Sequence, residues 1–395
     1  MVVRKITDKI LSVGTIDWDR RIFDNLIPLP EGTSYNSFLI RGKEKTALID
    51  TVDPVHEEEF ITNLVKAGCD RIDAIIINHA EQDHSGSLPV ILELFPGAKV
   101  YCTEKCKDLL SSLLDVPPSR IEIVKTGDSL NLGGISLQFI EYPWVHWPET
   151  MVTYCPEEKI LFSCDLFGSH LATSSLYMDD PCRTEILAKR YYAEIMMPFR
   201  NSIKQYLAKI QEMDIAIIAP SHGPLLNNPQ WILEKYVDWT SDSVRNTVLI
   251  PYVSMHGSTE RMVRMFTDFL MERGIGVRPF NLTGGDSGLL ALELVDAATV
   301  VFATPTVLFG PHPEMVTAAY LANLVKPKTR YASIIGSFGW GGKTVETLKS
   351  MIPHIKAELL SPVYIQGAPD EKSRADLLAL AEAIAEKHTS DPLIS

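Results

Sequence analysis

Apolar and polar positions divide the chain into two stretches with different patterns. Up to about residue 245, apolar runs of strand length alternate with turns that contain glycine and proline. We predict seven strands there, at residues 46–51, 73–78, 99–103, 121–125, 135–142, 151–154 and 160–164. Three helices are predicted between them, at residues 87–94, 104–114 and 185–213. Mixed sheets with helices outside favour a sandwich architecture.

From about residue 246 onward, strand patterns and amphipathic helix patterns alternate regularly. We predict strands at residues 248–253, 277–282, 299–303, 331–335 and 362–366. The predicted helices lie at residues 259–273, 288–297, 313–324, 344–351 and 372–388. Five successive strand–helix units are typical of an open, doubly wound parallel sheet. We therefore predict an α/β protein with two domains, residues 1–245 and residues 246–395, separated by a polar segment.

Composition narrows the functional classes. A chain of 395 residues is too long for one ordinary core, and 46% hydrophobic with 22% charged residues is typical of a globular protein. The longest apolar runs have strand length, so no membrane span is expected. The net charge of −13 and the lack of a basic stripe argue against nucleic acid and anionic membranes. With no Cys-x-x-Cys pair and no signal-peptide core, six reduced cysteines in a cytoplasmic protein are expected.

The segment His79-Ala-Glu81-Gln-Asp83-His84 carries the densest chemistry in the chain. It follows the apolar strand predicted at residues 73–78, where a rigid element can hold the side chains. Two imidazoles and two carboxylates within six residues indicate a metal site, and the carboxylates favour a metal harder than zinc. A solvated polar loop is the alternative reading of the same residues.

Three further candidate ligands also stand at strand ends. His146 follows the strand at 135–142, Asp165 ends the strand at 160–164, and His222 follows an apolar run at 215–219. Each of them alone could be a capping or core residue. Because the loops of a sheet converge at one edge, four strand ends that carry ligand-type residues predict a shared site.

The second stretch contains a candidate phosphate loop between a strand and a helix. Hydroxyl groups and backbone N–H groups at a helix N-terminus form an anion cradle, although such loops also cap ordinary helices. The loop residues are Ser254, Met255, His256, Gly257, Ser258 and Thr259. The absence of Gly-x-Gly-x-x-Gly favours a mononucleotide over a dinucleotide.

Two later strand ends complete this candidate site. Glycines there let the backbone approach a flat ring, and an aromatic side chain could stack on it, although Trp340 could equally be a core or interface residue. The residues concerned are Pro305, Thr306, Phe309, Gly310, Ser337, Phe338, Gly339, Trp340 and Gly341.

These motifs resemble those of a known family. Residues 1–245 resemble the metallo-β-lactamase superfamily, whose usual motif is His-x-His-x-Asp-His, but Glu81 replaces the second histidine. That pattern, together with Ile16-Asp-Trp18 and Thr33-Ser-Tyr-Asn36, resembles the flavodiiron proteins, also called A-type flavoproteins. The loop from Ser254 and the later loops resemble the phosphate and isoalloxazine loops of flavodoxins. The resemblance covers essentially the whole chain and implies an αββα sandwich followed by a flavodoxin-like domain.

The resemblance also implies a cofactor set and ligand roles. One iron would be held by His79, Glu81 and His146, a second iron would be held by Asp83, His84 and His222, and Asp165 would bridge the two. FMN would occupy the second domain. His170 would be a pocket residue, although it could also cap a helix. We take Tyr192 as the pocket phenol, although the sequence does not decide between it and Tyr191.

One departure from the family pattern concerns the segment Phe23-Asp24-Asn25. Many relatives carry a histidine at this place, within a Phe-His-Gly sequence. A hydrogen bond that this histidine makes in some members is therefore absent here or supplied differently.

The resemblance implies a soluble reductase that passes electrons from FMN to the diiron site, which reduces O2 to water, NO to N2O, or both. It also implies a head-to-tail homodimer or a dimer of dimers, and an external donor, either a rubredoxin-like protein or a reduced deazaflavin coenzyme. Two alternatives are a metal-dependent hydrolase with a fused flavin domain and a one-electron carrier. Glu81 and the flavin half argue against the hydrolase, and the seven ligand-type residues argue against the carrier.

Overall fold

The computed structural model describes residues 3–395 and divides them into two compact units. One unit is formed by the chain up to Tyr192 together with Phe199–Val237. The other is formed by Ala193–Pro198 and Asp238–Ser395. No helix within the described residues has the length and apolar character that spanning a bilayer requires.

The first unit is built around two large sheets. Its strands are β1 (Arg4–Lys5), β2 (Ile10–Ser12), β3 (Thr15–Asp17), β4 (Ile22–Phe23), β5 (Ile27–Pro28), β6 (Thr33–Tyr35), β7 (Phe38–Arg41), β8 (Thr46–Ile49), β9 (Ala74–Ile76), β10 (Lys99–Cys102), β11 (Ile121–Ile123), β12 (Ser129–Asn131), β13 (Ser136–Glu141), β14 (Met151–Cys155), β15 (Ile160–Cys164) and β16 (Ile217–Pro220). One sheet has the order β1-β2-β7-β8-β9-β10-β11, and the other has the order β12-β13-β14-β15-β16. Two short pairs, β3 with β6 and β4 with β5, lie outside these sheets.

Helices connect and cover the strands of this first part of the chain. They are α1 (Glu57–Lys66), α2 (Gln82–Ser85), α3 (Leu88–Leu94), α4 (Glu104–Leu114), α5 (Pro181–Tyr191), α6 (Arg200–Ile210) and α7 (Pro229–Thr240). Short 3-10 helices lie at Pro54–His56, Pro118–Arg120 and Met197–Phe199, and a π-helical turn lies at Tyr192–Met196.

The two faces of the seven-stranded sheet bury different clusters because side chains alternate along a strand. Leu48 and Ile75 point into a cluster that includes Phe60 of α1, so this face packs against helices. Their neighbours Ile49 and Ile76 point into a cluster shared with the five-stranded sheet. On the second sheet, Tyr206 of α6 stacks on Tyr142, which follows β13, with ring centroids 4.3 Å apart. The predicted αββα sandwich is confirmed.

The helix predicted at residues 185–213 is wrong as a single element. The chain instead forms α5, the π-helical turn, a 3-10 turn and α6 in succession. Pro198 lies in the 3-10 turn, and a proline has no N–H to donate to the preceding turn of an α-helix. A π-helical turn shifts the phase of the side chains that follow it.

The second unit contains one parallel sheet. Its strands are β17 (Arg245–Tyr252), β18 (Gly276–Asn281), β19 (Ala297–Val307), β20 (Gly310–Pro311), β21 (Tyr331–Phe338), β22 (Glu358–Leu359) and β23 (Val363–Gln366). Its helices are α8 (Ser258–Met271), α9 (Ser287–Leu294), α10 (Pro313–Val325), α11 (Thr344–Met351) and α12 (Glu371–Ser390). The sheet order is β18-β17-β19-β21, with β22 and β23 both paired to β21 and β20 turned back antiparallel on β19. The predicted doubly wound, flavodoxin-like parallel sheet is confirmed.

Candidate metal centre and cofactor pocket

The seven predicted metal ligands all stand at or just beyond strand ends of the first unit. His79 follows β9, and the short helix α2 carries the next part of the motif. His146 lies in the loop between β13 and β14, Asp165 directly follows β15, and His222 follows β16. Because β15 and β16 are parallel neighbours, Asp165 and His222 leave the sheet at the same edge. The structure brings all seven side chains into one cluster, in which Glu81 and His146 are partly exposed and the other five are buried.

Four of these side chains form a first donor group. His79, Glu81, His146 and Asp165 present ligand atoms that all lie within 4.8 Å of one another. Glu81 Oε2 is 3.0 Å from His79 Nε2 and 3.3 Å from His146 Nε2. Asp165 Oδ2 is 3.4 Å from His146 Nε2 and 3.7 Å from His79 Nε2. Ligands at about 2.0–2.2 Å from a common ion lie about 3.0–3.6 Å apart, so these separations suit a metal.

The second donor group uses the other oxygen of the same aspartate. Asp165 Oδ1 is 3.2 Å from His84 Nε2 and 3.4 Å from His222 Nε2. Asp83 Oδ2 is 3.1 Å from His222 Nε2 and 3.2 Å from His84 Nε2. Neither carboxylate oxygen of Asp83 has a hydrogen-bond partner within the described chain, although both are buried. Donor atoms of several side chains that converge on one point are the arrangement that a shared central ion requires.

The side chains of the two donor groups shift the pKa values of one another strongly. Burial by itself would raise the pKa of Asp165, but His84 and hydrogen bonds from His146 and His222 hold that pKa well below its ordinary value. Burial opposes protonation of the imidazoles, yet facing carboxylates raise the pKa of His146 to about 10 and that of His222 to about 9. Because imidazole binds a metal in its neutral form, these raised pKa values couple metal binding to the release of protons.

Outer hydrogen bonds orient the two groups differently. Glu149 Oε1 accepts a hydrogen bond from His79 Nδ1 at 2.6 Å and another from the Ala80 N–H at 3.1 Å. In the second group, His222 Nδ1 donates to the main-chain carbonyl of Ser34 at 2.7 Å. Both bonds fix which ring nitrogen faces the cluster. We did not predict Glu149 from the sequence. The sequence feature that could have identified Glu149 is its position three residues after His146, just before an apolar strand.

The two predicted pocket residues have different surroundings. His170 is buried, and its Nδ1 lies 2.9 Å from Thr33 Oγ1 while its ring lies 5.0 Å from the ring of His222. Tyr191, rather than Tyr192, reaches the donor groups, because its hydroxyl donates to Asp165 Oδ1 at 2.8 Å. Tyr192 instead packs edge-on against Tyr236, with ring centroids 5.5 Å apart. Successive side chains on a helix point in directions about 100° apart, so the phenols of Tyr191 and Tyr192 face different surroundings.

Asp24 stands beside the carboxylates of the cluster. Its backbone has a positive φ of 50°, and it follows the buried side chain of Phe23 in a tight turn. Burial, followed by repulsion from Glu81 and Asp83, raises the pKa of Asp24 to about 6. This acid therefore faces the donor groups from the position where the sequence departs from the family pattern.

The predicted phosphate loop lies at the N-terminus of α8. Gly257 directly precedes the helix with a φ of 83°, a conformation that glycine adopts without steric cost. The Ser254 hydroxyl accepts hydrogen bonds from the N–H groups of Gly257 and Glu260, which shapes the loop. Thr259 is 1% exposed, and its hydroxyl has no partner within the described chain. An unpartnered buried hydroxyl at a helix N-terminus suits a bound anion.

A pocket of about 190 Å³ connects this loop with the later strand ends. Ten predicted residues line it, namely Ser254, Met255, His256, Ser258, Thr259, Pro305, Thr306, Ser337, Phe338 and Gly339. Gly367, which we did not predict, also lines it, and its only sequence signal was a turn glycine after the last strand. Gly257, Phe309, Gly310, Trp340 and Gly341 do not line it. Phe309 and Trp340 lie on the surface, 71% and 59% exposed, with their rings edge-on at 5.0 Å.

Comparison with known proteins identifies relatives over nearly the whole chain. Residues 33–223 match the family model described as ODP family beta lactamase. A nitric oxide reductase from Moorella thermoacetica is 38% identical, over 90% of this chain and 91% of its own length. A coenzyme F420H2 oxidase from Methanothermobacter marburgensis is 34% identical, over 88% of this chain and 89% of its own length.

Solved structures agree with this relationship. The rubredoxin oxygen:oxidoreductase from Desulfovibrio gigas has a TM-score of 0.93 and 28% identity, covering 98% of both chains. The flavodiiron protein from Giardia intestinalis has a TM-score of 0.90 and 29% identity, also covering 98% of both chains. With two donor groups that share Asp165 in one unit and a flavodoxin-like pocket in the other, the chain belongs to the flavodiiron protein family.

Proposed function

We propose that this protein is a reductase of O2, NO or both, in which FMN passes electrons to a diiron centre. Residues 1–245 form the iron-bearing domain and residues 246–395 form the FMN-bearing domain. The observation that carries the proposal is the pair of donor groups joined by the two oxygens of Asp165. The relatives named as a nitric oxide reductase and as a rubredoxin oxygen:oxidoreductase support the choice of substrates.

The donor set suits two iron ions. His79, Glu81 and His146 would hold one iron, Asp83, His84 and His222 would hold the other, and Asp165 would be shared by both. Mixed imidazole and carboxylate ligands without a thiolate favour iron or manganese over structural zinc. The three carboxylates offset most of the charge of two ferrous ions in a buried site. With three ligands of its own and a share of Asp165, each ion would retain a position for a substrate molecule.

The pocket of the second unit suits a flavin mononucleotide. The unpartnered Thr259 hydroxyl and the N-terminus of α8 receive the phosphate, with Ser254 and Ser258 beside them. Thr306, Ser337 and Phe338 line the part of the pocket where the flat ring lies. Phe309 and Trp340, although exposed in the single chain, flank this pocket, as do Gly310 and Gly341.

The two cofactors match the electron requirement of either reaction. FMN accepts two electrons and releases them singly, whereas each iron changes its charge by one. Reduction of O2 to two waters consumes four electrons and four protons, and reduction of two NO to N2O and water consumes two of each. Both substrates are small and neutral, so they need no charged recognition groups. Side chains that orient the metal ligands can therefore also form the wall of the substrate pocket.

Two residues wall the donor groups and shape the substrate pocket. Burial, followed by the nearby His222 and Arg190, holds the pKa of His170 well below its ordinary value, so this imidazole stays neutral. The Tyr191 hydroxyl keeps the bridging carboxylate in place by donating to Asp165. We assign the pocket phenol to Tyr191 and the pocket imidazole to His170.

A second copy of the chain completes the electron path in this proposal. Apolar side chains beside the FMN pocket are unusually exposed, with Leu308 at 74%, Phe309 at 71% and Trp340 at 59%. Trp144, two residues before His146, is 52% exposed on the first unit. Exposed apolar groups of this size mark contact surfaces. A head-to-tail dimer, alone or within a dimer of dimers, would cover them and bring FMN of one copy to the irons of its partner.

Electrons reach FMN from an external donor. A rubredoxin-like protein and a reduced deazaflavin coenzyme are the two candidates, and the Desulfovibrio and Methanothermobacter relatives carry these donors in their names. The six cysteines are all unpaired, which fits the reducing cytoplasm that we propose as the compartment.

Metal and flavin analysis followed by gas reduction tests the proposal. The purified protein should contain two irons and one FMN per chain. With an excess of a chemical reductant that keeps FMN reduced under anaerobic conditions, separate additions of O2 and NO should each be consumed catalytically, and their turnover numbers rank the substrates. A colourless protein that contains only zinc and cleaves an ester or phosphodiester would establish the hydrolase instead.

A further inference from the structure

Tyr364 lies beneath the two segments that border the ring side of the FMN pocket. It belongs to β23, an edge strand paired with β21. Its hydroxyl is 2.8 Å from Thr306 Oγ1 and donates to the main-chain carbonyl of Thr304 at 3.2 Å. Thr306 itself lines the pocket. Tyr364 therefore holds the first bordering segment, residues 304–309, by two hydrogen bonds.

The ring of Tyr364 holds the second bordering segment, residues 336–342. The Phe338 ring stacks on it with a centroid distance of 5.9 Å and an interplanar angle of 7°. A Cβ at Gly336, where φ is 156°, would lie 2.7 Å from Tyr364 Cε2 and 1.9 Å from the Thr304 carbonyl oxygen. The backbone of the second segment thus approaches both the tyrosine ring and the first segment closely.

A chain of hydroxyl groups joins the same parts. Thr344 Oγ1 lies 2.8 Å from Thr306 Oγ1, and Thr344 begins α11 two residues after the end of the second segment. With each hydroxyl donating once, the chain runs from Thr344 to Thr306, then to Tyr364, and ends at the Thr304 carbonyl. The hydroxyls of Thr306 and Tyr364 each accept one hydrogen bond and donate one, so the directions along the chain are consistent.

We propose that Tyr364 is a positioning residue that sets the gap between the two segments which enclose the flavin ring. This inference rests on the proposed function, because it places FMN in this pocket. The Tyr364 hydroxyl bonds to Thr304 and Thr306 of the first segment, and its ring stacks on Phe338 of the second segment. This one side chain therefore determines how far apart the two segments lie. A flavin bound between the segments then meets main-chain groups at fixed positions, which determine how well each redox state is bound.

Tyr364→Phe isolates the hydroxyl, because phenylalanine keeps the ring that stacks on Phe338. Loss of a hydrogen bond that orders the first segment should raise the FMN dissociation constant of the apoprotein about fivefold to tenfold. The midpoint potentials and the visible circular dichroism of the bound flavin should also change, since the main chain around the ring relaxes. Iron content should stay at the wild-type value.

The experiment titrates flavin-free protein with FMN and follows the quenching of flavin fluorescence. Tyr320→Phe serves as the matched control, because Tyr320 lies on α10 and is 55% exposed. Thr344→Val breaks the hydroxyl chain at its other end and should change FMN affinity and potential in the same direction. If Tyr364→Phe does not fold, the FMN dissociation constant and flavin potentials of Thr344→Val alone test the proposal.

Wild-type affinity, potentials and dichroism in both hydroxyl variants would overturn the proposal. Lower thermal stability with an unchanged FMN dissociation constant and unchanged potentials would also overturn it, since a purely structural role predicts that result. A wild-type protein that binds no FMN would instead refute the proposed function, so the two failures are distinguishable.

Discussion

Replacing Glu149 by glutamine should loosen one iron of the pair and leave the other in place. Glu149 Oε1 accepts a 2.6 Å hydrogen bond from His79 Nδ1 and belongs to a fully buried side chain. Glu149 Oε1 is the hydrogen-bond acceptor of His79 Nδ1 within residues 3–395, whereas His222 of the second group donates to a main-chain carbonyl that the substitution does not touch. The change removes one charge and retains the shape of the side chain.

The expected magnitude follows from this bond. A hydrogen bond to a charged acceptor contributes about 1.5–3 kcal/mol, and a neutral one about 0.5–1.5 kcal/mol, so the substitution costs roughly 1–1.5 kcal/mol. Loss of an outer partner of a ligating histidine weakens metal binding about tenfold to a hundredfold, or about 1.4–2.7 kcal/mol, so the two estimates meet near tenfold. We expect iron affinity in the group of His79 to fall by at least about tenfold.

Release of ferrous iron to a chelator under anaerobic conditions measures the effect. The variant should release one iron per chain quickly and the second at the wild-type rate. Glu122→Gln, the same chemical change on an exposed strand side chain, should release both irons as the wild type does. Simultaneous release of both irons from Glu149→Gln at the wild-type rate would refute the argument that this carboxylate orients His79.

Three further predictions concern the bridge, the pocket phenol and pH. Asp165→Ala should abolish reduction of both gases while FMN stays bound, and turnover near the wild-type value would contradict the bridging role. Tyr191→Phe should lower turnover about tenfold with iron retained, because one hydrogen bond to a charged group is lost, whereas Tyr192→Phe should retain turnover. Burial lowers the pKa of His388 to about 4 in the folded protein, below about 6.5 in the unfolded chain. Between about pH 6.5 and pH 4 the unfolded chain binds a proton at this histidine and the folded protein does not. The free energy of unfolding therefore has its full contribution from His388 above about pH 6.5 and decreases by up to about 3 kcal/mol as the pH falls to about 4. Urea unfolding across this pH range should show that the free energy of unfolding depends less on pH in His388→Gln than in the wild type. An equal pH dependence in both proteins would refute this role of His388.

The ligand-bearing strand ends were predictable because the relevant signals are local. An apolar run followed at once by His79 or Asp165 identifies both the strand and the side chain that leaves it. The same holds for the loop from Ser254, where hydroxyl residues stand between a strand pattern and a helix pattern. The parallel sheet of the second unit follows from regular alternation of these patterns, which needs no information about distant contacts.

The partners of these residues were not predictable, because they come from distant positions in the chain. Glu149 meets His79 across 70 residues, and Tyr364 meets Thr306 across 58 residues. No periodicity encodes such pairs, since strand pairing in three dimensions decides them. The sequence left the choice between Tyr191 and Tyr192 open for another reason. Tyr191 ends α5 and Tyr192 begins a π-helical turn, so the helix phase at one residue decides which hydroxyl reaches Asp165.

By itself, the sequence determined the type of chemistry, because residue identities such as Glu81 and the order of apolar and polar positions are local properties of the chain. Only the tertiary structure decided how the donor atoms are arranged, because that depends on which strand ends meet. Asp165 illustrates the division. Its residue type and its place after a strand are visible in the sequence, but the separation of its two oxygens between two donor groups exists only once β9 of one sheet and β15 and β16 of the other bring their loops together.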